Sequence, residues 1–426
     1  MTAQDTQGEH FGVTHKRDIS TELLLCLKNM DISDKTPKPL CKELLKQIEK
    51  LKLKVDISKS NSIKNIEKKR SSCQPKTRIF FLKTHKTASS TIMNILFRFG
   101  DSRNLTFAFP SKNATQFYYP GFFSASQVDN FSDYNNNTFH IMCHHMRFRL
   151  TEVEKVMPSD TFYFTILRNP IYLMESSFSY YKSTSSFAKA KSLEDFLNNT
   201  TKYYSKSNYA KNLMTFDLGF DHNGLESAKY FKLMQEAVEI IFDLVLITEY
   251  FDESLVLLKD ALCWTYEDLL SFPLNSRSDI TKKALPLETQ ERIKAWNQHD
   301  WKLYNYFNRT FWNRVEKFGI ERMKREVEEL RQQRAQLSKT CLQGKVEAKE
   351  IKDKSLKPFQ YGMAKIIGYN LKPGLGMEQK ILCQRLVTPE LQYSDLLRKK
   401  QRQKNEHVHV LKHNKVKNKN KKVKPK

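Results

Sequence analysis

Glycine and proline, the two residues that punctuate structure, are scarce in this 426-residue chain: 12 and 13 copies. That scarcity excludes collagen-like and Gly/Pro-rich low-complexity classes. Long hydrophobic runs are missing too. The best apolar stretches, 240–247 and 23–27, are short and interrupted, whereas a bilayer span needs roughly 18 or more apolar residues. The first thirty residues are polar and mixed in charge, so no secretory signal is legible there. None of the seven cysteines forms a C-x-x-C pair, which excludes a zinc ribbon or a thioredoxin-like motif. No internal repeat is visible. Acids are in deficit, 47 against 72 Lys and Arg, leaving a net charge of +25.

What is present argues for a folded chain. Aromatic residues make up 12% of it, including 28 Phe and 18 Tyr, far from the composition of disorder. The length suits about two or three average domains, or one large α/β domain with extensions. The charge is uneven. Residues 398–426 hold thirteen Lys and Arg against a single acid, Glu406, and residues 1–76 add about +6. The expected organisation is therefore an N-terminal, stem-like extension (1–76), a mildly basic domain (77–397) and a basic disordered tail (398–426). A basic core suits a polyanionic ligand. A basic tail is a solvated arm or a contact for nucleic acid or anionic lipid. Seven N-x-[ST] sequons, at Asn104, Asn113, Asn130, Asn136, Asn198, Asn199 and Asn308, lean towards a secretory lumen.

Local patterns give an α/β reading. Residues 35–53 place apolar side chains at helical spacing. Short apolar runs at 78–82, 139–143 and 161–167, and part of 237–248, read as strands. Helical patterns alternate with them, and Pro170 opens one helix at its first turn. Alternation of this kind predicts a mostly parallel sheet with helices on both faces, followed by a helical C-terminal part.

Two motifs bear on chemistry. In F-L-K-T-H-K-T-A-S-S-T (81–91) a strand enters a turn rich in hydroxyls and lysine, and a helix leaves it. Backbone N–H groups, a helix N-terminus and lysine charge would converge there on an anion. Lys83, Thr84, Lys86, Thr87, Ala88, Ser89, Ser90 and Thr91 are the candidate binding residues; the plain alternative is an ordinary helix cap. The nucleotide loop G-x-x-x-x-G-K-[ST] is not matched, because the turn has no glycine, and this counts against a P-loop kinase. In T-I-L-R-N-P-I-Y-L-M-E-S-S-F (165–178), Arg168 follows a strand and Ser176 lies two helical turns on. Together they can grip one phosphate. Two separate anion sites fit a nucleotide phosphorylated at both ends, the shape of 3′-phosphoadenylyl sulfate (PAPS).

The segment F-L-K-T-H-K-T-A-S-S-T-I-M-N-I-L-F-R-F-G (81–100) resembles the 5′-phosphosulfate loop of the Golgi galactose 3-O-sulfotransferases. C-H-H-M-R-F (143–148), N-Y-A-K-N-L (208–213), F-D-L-G-F-D (216–221), L-N-S-R-S (274–278) and C-Q-R-L-V-T-P-E-L-Q-Y (383–393) are similar at matching separations. The resemblance runs from about Cys73 to Tyr393. It implies a P-loop-like sulfotransferase fold and PAPS as co-substrate, with no metal. The implied acceptor is the 3-hydroxyl of terminal β-galactose on a glycolipid such as galactosylceramide, or on a glycoprotein glycan. It also implies residence in the Golgi lumen or membrane, although the family's N-terminal anchor is not visible in this sequence. The rival reading is a polyanion- or nucleic-acid-binding protein that uses the basic tail. No zinc-finger, RRM or basic-zipper pattern supports it, and no nucleic-acid partner is expected.

A sugar hydroxyl needs a base to take its proton. His145 is the first choice, because the resemblance keeps a histidine there; His85 is the competing base or a sulfate donor. Lys86 is expected to stabilise the departing 5′-phosphate, and Arg168 with Ser176 to hold the 3′-phosphate. Cys73, Cys143, Cys263, Cys341 and Cys383 fall at positions matching the family, so one or two disulfides are expected, with the pairing left open.

Overall fold

The structure, a computed structural model, describes residues 73–404 apart from 132–138, 184, 225 and 279–283. The helix expected over 35–53 and everything beyond 404 lie outside the described residues. The chain runs through β1 (Ile79–Leu82), α1 (Ser89–Ser102), β2 (Phe117–Phe122), β3 (Ile141–Met142), β4 (Met146–Arg147), β5 (Phe162–Leu167) and α2 (Pro170–Tyr181). It continues through α3 (Leu213–Asp217), α4 (Ala228–Ile241), β6 (Leu244–Ile247), α5 (Phe251–Leu262), α6 (Gln298–Phe318) and α7 (Ile320–Cys341). It ends with β7 (Leu342–Glu347), β8 (Ile367–Leu371), α8 (Met377–Val387) and a last helix, α9, over 390–404.

The central sheet is parallel, in the order β3-β1-β5-β6, and flanked by helices. Every residue of β1, β5 and β6 is buried. A strand covered on both faces has no polar side, which is why these segments read as unbroken apolar runs rather than alternating ones. Phe80, Phe81 and Phe164 are fully buried there, each side chain contributing roughly 1.5–3 kcal/mol relative to exposure. β2 and β4 form a small parallel pair, and β7 and β8 an antiparallel one.

Some expectations shift. The 237–248 run is divided: its first half completes α4, and only Leu244–Ile247 is strand. Within 139–143 only two residues pair as strand. Pro170 does open α2, with the Asn169 side chain accepting from the N–H of Ile171. The boundary expected at 397 falls too early. Helix α9 runs on to 404, with Arg398 donating to the carbonyl of Ala114, Lys400 paired with Asp101 and Arg402 with Asp129. At the other end, the Lys76 N–H donates to the carbonyl of Leu262 and its own carbonyl accepts from Trp264, so residue 76 already belongs to the domain. Among the described residues two disulfides, Cys73–Cys263 and Cys341–Cys383, tie both ends to the core, and Cys143 is a buried free thiol. Among the described residues, no helix is long and apolar enough to cross a membrane.

Candidate active site

The carboxyl end of β1 leads directly into the turn 83–88. Lys86 and Ala88 both take left-handed backbone conformations, with φ of 60°. Glycine usually supplies that conformation, so this turn is built without the glycines a nucleotide loop would use. Ala88 stands at the N-cap of α1 and has no side chain with which to cap it. The first N–H groups of a helix lack intrahelical partners. The helix therefore presents an uncapped, partly positive end, and the ordinary-cap alternative does not apply here.

The hydroxyls around this turn are mostly spoken for. Thr84 donates to the carbonyl of Ile166 (2.6 Å), anchoring the turn on β5. The hydroxyls of Thr87 and Ser89 both donate to the carbonyl of Thr84, at 3.1 and 2.8 Å. Thr91 accepts the N–H of Leu274 (3.0 Å), and Ser90 donates to the Glu390 carboxylate (2.6 Å). These residues shape the turn, and its backbone and lysines face the cleft.

Two imidazoles stack beside it, His85 on His145, with centroids 3.8 Å apart and planes 9° from parallel. Their hydrogen bonds fix the same tautomer, Nδ1–H, but leave the two Nε2 atoms in different surroundings. His85 Nδ1 lies 3.0 Å from both oxygens of Asp217, so Nδ1 carries the proton and donates. Nε2 is then left with its lone pair, and no partner for it is found among the described residues. Asp217 is fully buried and also accepts from the His85 backbone N–H (2.8 Å) and from the Tyr119 hydroxyl (2.8 Å). Tyr119 in turn accepts from Asn208 (2.7 Å). His145 Nδ1 donates to the carbonyl of Lys83 (2.8 Å), and its Nε2 accepts from the ammonium of Lys83 (3.0 Å). Burial, then His85 and Lys83, hold the His145 pKa well below the usual histidine range. His144 points the other way, packed among aromatic rings and bonded to Ser394.

Asp217 ends α3, a five-residue helix whose start is held by the buried Asp300 carboxylate. Asp300 accepts from the N–H groups of Met214 (3.1 Å) and Thr215 (2.8 Å) and from the Thr215 hydroxyl (2.7 Å). Burial pushes its pKa up to about 6. Gly219 (φ +87°) closes the turn that follows; a Cβ there would clash with the Phe148 carbonyl oxygen.

A cleft of about 480 Å³ joins these parts. Lys83, Lys86, Arg168 and Ser176 all line it, as do His85 and His145. Arg168 donates to the carbonyl of Lys86 (2.7 Å), which links the two motifs. Lys86, half-buried, lies over the Tyr180 ring at 3.7 Å. Burial, then Arg168, Arg277 and Lys83, lower its pKa to about 7. Three residues escaped the sequence reading: Asp217, Glu390 and Arg277. Arg277 pairs with Glu175, the neighbour of Ser176, and its buried Nη1 has no partner among the described residues. An unpartnered guanidinium N–H beside two other cations is a waiting anion donor. Its place inside L-N-S-R-S was the available signal.

The comparisons agree with this geometry. A family model described as Galactose-3-O-sulfotransferase matches residues 25–401, so the match takes in part of the segment expected to be a stem-like extension. Galactose-3-O-sulfotransferase 2 of Sus scrofa is 48% identical over 330 residues, covering 75% of this chain and 83% of the relative. Galactosylceramide sulfotransferase of Homo sapiens is 45% identical over 333 residues, covering 75% and 78%. Galactose-3-O-sulfotransferase 4 of Homo sapiens is 39% identical over 410 residues, covering 78% and 84%. With a strand–turn–helix that leaves its helix end uncapped, and with a family match along most of its length, the chain belongs to the galactose-3-O-sulfotransferase family.

Proposed function

We propose that this protein transfers the sulfuryl group of PAPS to the 3-hydroxyl of a terminal β-galactose. The observation that carries the reading is the single cleft in which an uncapped helix end, Lys83 and Lys86 stand beside Arg168, Arg277 and Ser176. A 5′-phosphosulfate suits the first group and a 3′-phosphate the second.

Sulfuryl transfer resembles phosphoryl transfer: in-line, loose, with charge building on the leaving oxygen. The new bond joins the galactose O3 to sulfur. The bond from sulfur to the 5′-phosphate oxygen breaks, and adenosine 3′,5′-bisphosphate (PAP) leaves. Lys86 and the start of α1 stabilise the charge that grows on that phosphate. The proton of the galactose hydroxyl goes to a histidine. The geometry favours His85 over His145 for this step, because Asp217 orients His85 Nδ1 and leaves Nε2 unengaged, while Lys83 occupies Nε2 of His145. Asp217 also stabilises the imidazolium that forms. Tyr180, Tyr181 and Tyr209 give the cleft an aromatic wall, with Tyr181 stacked on Tyr209.

The two disulfides fit an oxidising compartment, which supports a Golgi lumenal location. The tail-driven polyanion reading loses part of its basis, because Arg398, Lys400 and Arg402 are tied into the domain. The test is a transfer assay with radiolabelled PAPS against terminal β-galactosides, galactosylceramide and glycoprotein-type glycans included. Label at galactose O3 is expected, and the preferred acceptor class follows from the panel. A folded protein that binds PAP yet labels no galactoside would refute the acceptor, and one that binds no PAP would refute the donor.

A further inference from the structure

A carboxylate is out of place in an anion cleft, yet Glu390 sends one into this cleft from the start of α9. Its side chain is 17% exposed. The carboxylate accepts the Ser90 hydroxyl at 2.6 Å and lies 3.2 Å from the ammonium of Lys83. Asn275 holds Ser90 from the other side, its Nδ2 donating to the hydroxyl oxygen at 3.3 Å. An ammonium has three N–H donors. Those of Lys83 meet three acceptors: Glu390, His145 Nε2 (3.0 Å) and Ser89 Oγ (3.3 Å). Lys83 is thus saturated, and the one proton of Ser90 is committed as well. Two of the polar groups nearest the uncapped start of α1 are spent on Glu390 before any ligand arrives.

We propose that Glu390 is an internal counter-anion of the donor cradle, and so a determinant of donor affinity. It occupies the Lys83–Ser90 end in the empty enzyme, and the donor's anion displaces it. This rests on the reading that the cradle takes the 5′-phosphosulfate of PAPS. Helix α9 itself is held by Arg398, Lys400 and Arg402, so the exchange is a swing of one side chain on a fixed helix. The swing returns Lys83 and Ser90 to the ligand. A carboxylate left in place would instead repel the incoming phosphosulfate across a few ångströms.

The test compares the full-length protein with Glu390→Gln by calorimetric titration with PAP, thermal melting confirming that the variant is folded. Glutamine keeps the shape and an acceptor for Ser90 but drops the charge. PAP is expected to bind about tenfold tighter to the variant, a difference of about 1.4 kcal/mol. The KM for PAPS should fall with it, without a gain in kcat. Unchanged or weaker PAP binding by the folded variant overturns the proposal. So does a loss of kcat with donor binding intact, which would place Glu390 in the chemistry. A structure of the wild-type protein with PAP decides the matter even if the variant does not fold. Glu390 turned away from both Lys83 and Ser90 supports the exchange, and Glu390 still bonded to both, with PAP in the cradle, refutes it. Failure of the wild type to bind PAP at all would refute the donor reading and this proposal together.

Discussion

Lys86 makes donor binding a proton-linked event whose size can be worked out. Burial, Arg168, Arg277 and Lys83, in that order, hold its pKa at about 7 in the empty cleft. A free lysine titrates at about 10.4. A phosphate placed beside it supplies the missing negative charge and moves the pKa back up. The sign follows. Below pH 7 Lys86 is already charged, and binding costs nothing at this group. Above pH 7 the empty site is neutral, so the ligand must draw in a proton, and PAP affinity falls by about tenfold, or about 1.4 kcal/mol, for each further pH unit. Proton uptake on binding should be about 0.1 at pH 6 and about 0.9 at pH 8. Calorimetric titration with PAP in buffers of different ionisation heat measures that number directly. The phosphates of PAP titrate near pH 6 and contribute with the opposite sign, so the quantity to read is the difference between wild type and Lys86→Met. Equal proton uptake by the two proteins at pH 8 would refute the argument.

Three further outcomes follow from the same geometry. His85→Asn should lower kcat by about 10²–10⁴ while leaving PAP affinity nearly unchanged; a larger loss in His145→Asn than in His85→Asn would return the base role to His145. Asp217→Asn should also act on kcat rather than on the KM for PAPS, because Asp217 meets the reaction only through His85 Nδ1, and equal effects on both parameters would mean that the cradle itself had collapsed. Arg277→Ala and Arg168→Ala should each weaken PAP far more than AMP, which lacks the 3′-phosphate, by about tenfold or more in the ratio of dissociation constants. A parallel loss for both nucleotides would place the two arginines elsewhere.

Much of the frame was legible because it is local. The strands within the runs at 78–82 and 161–167, Ile79–Leu82 and Phe162–Leu167, are buried on both faces, and such strands announce themselves by composition alone. The turn 83–88 was legible from its hydroxyls and lysines, but not the direction of those hydroxyls. Thr87 and Ser89 turn inwards to the turn's own Thr84 carbonyl, and Thr84 to the Ile166 carbonyl of β5, which no residue list reveals. Within 237–248 a strand was legible but not its limits, because a short apolar run suits either element and tertiary packing settled where α4 stops. The missed residues share one property. Asp217 lies 132 positions from His85, Arg277 lies 102 from Glu175, and Glu390 lies 300 from Ser90. Periodicity cannot join positions so far apart. Only the fold brings α3, the 274–278 segment and α9 to the end of β1.

The stacked histidines explain how a base survives in so cationic a cleft. In the proposed reaction Lys83, Lys86, Arg168 and Arg277 would favour the departing phosphate, and the same field penalises any added proton. At 3.8 Å, two imidazoles cannot both be charged without strong repulsion. One must stay neutral, and the bonds decide which. His145 has a cation at Nε2 and a depressed pKa, so it stays neutral. His85 has a buried carboxylate at Nδ1 and an Nε2 that no described residue engages. Tyr119 and Asn208 hold that carboxylate in register, and Asp300 holds the helix that carries it. The chain of dependence therefore runs Asp300, α3, Asp217, His85. Asp300 is not among the residues that line the cleft, so a substitution there should reach kcat through α3 and Asp217.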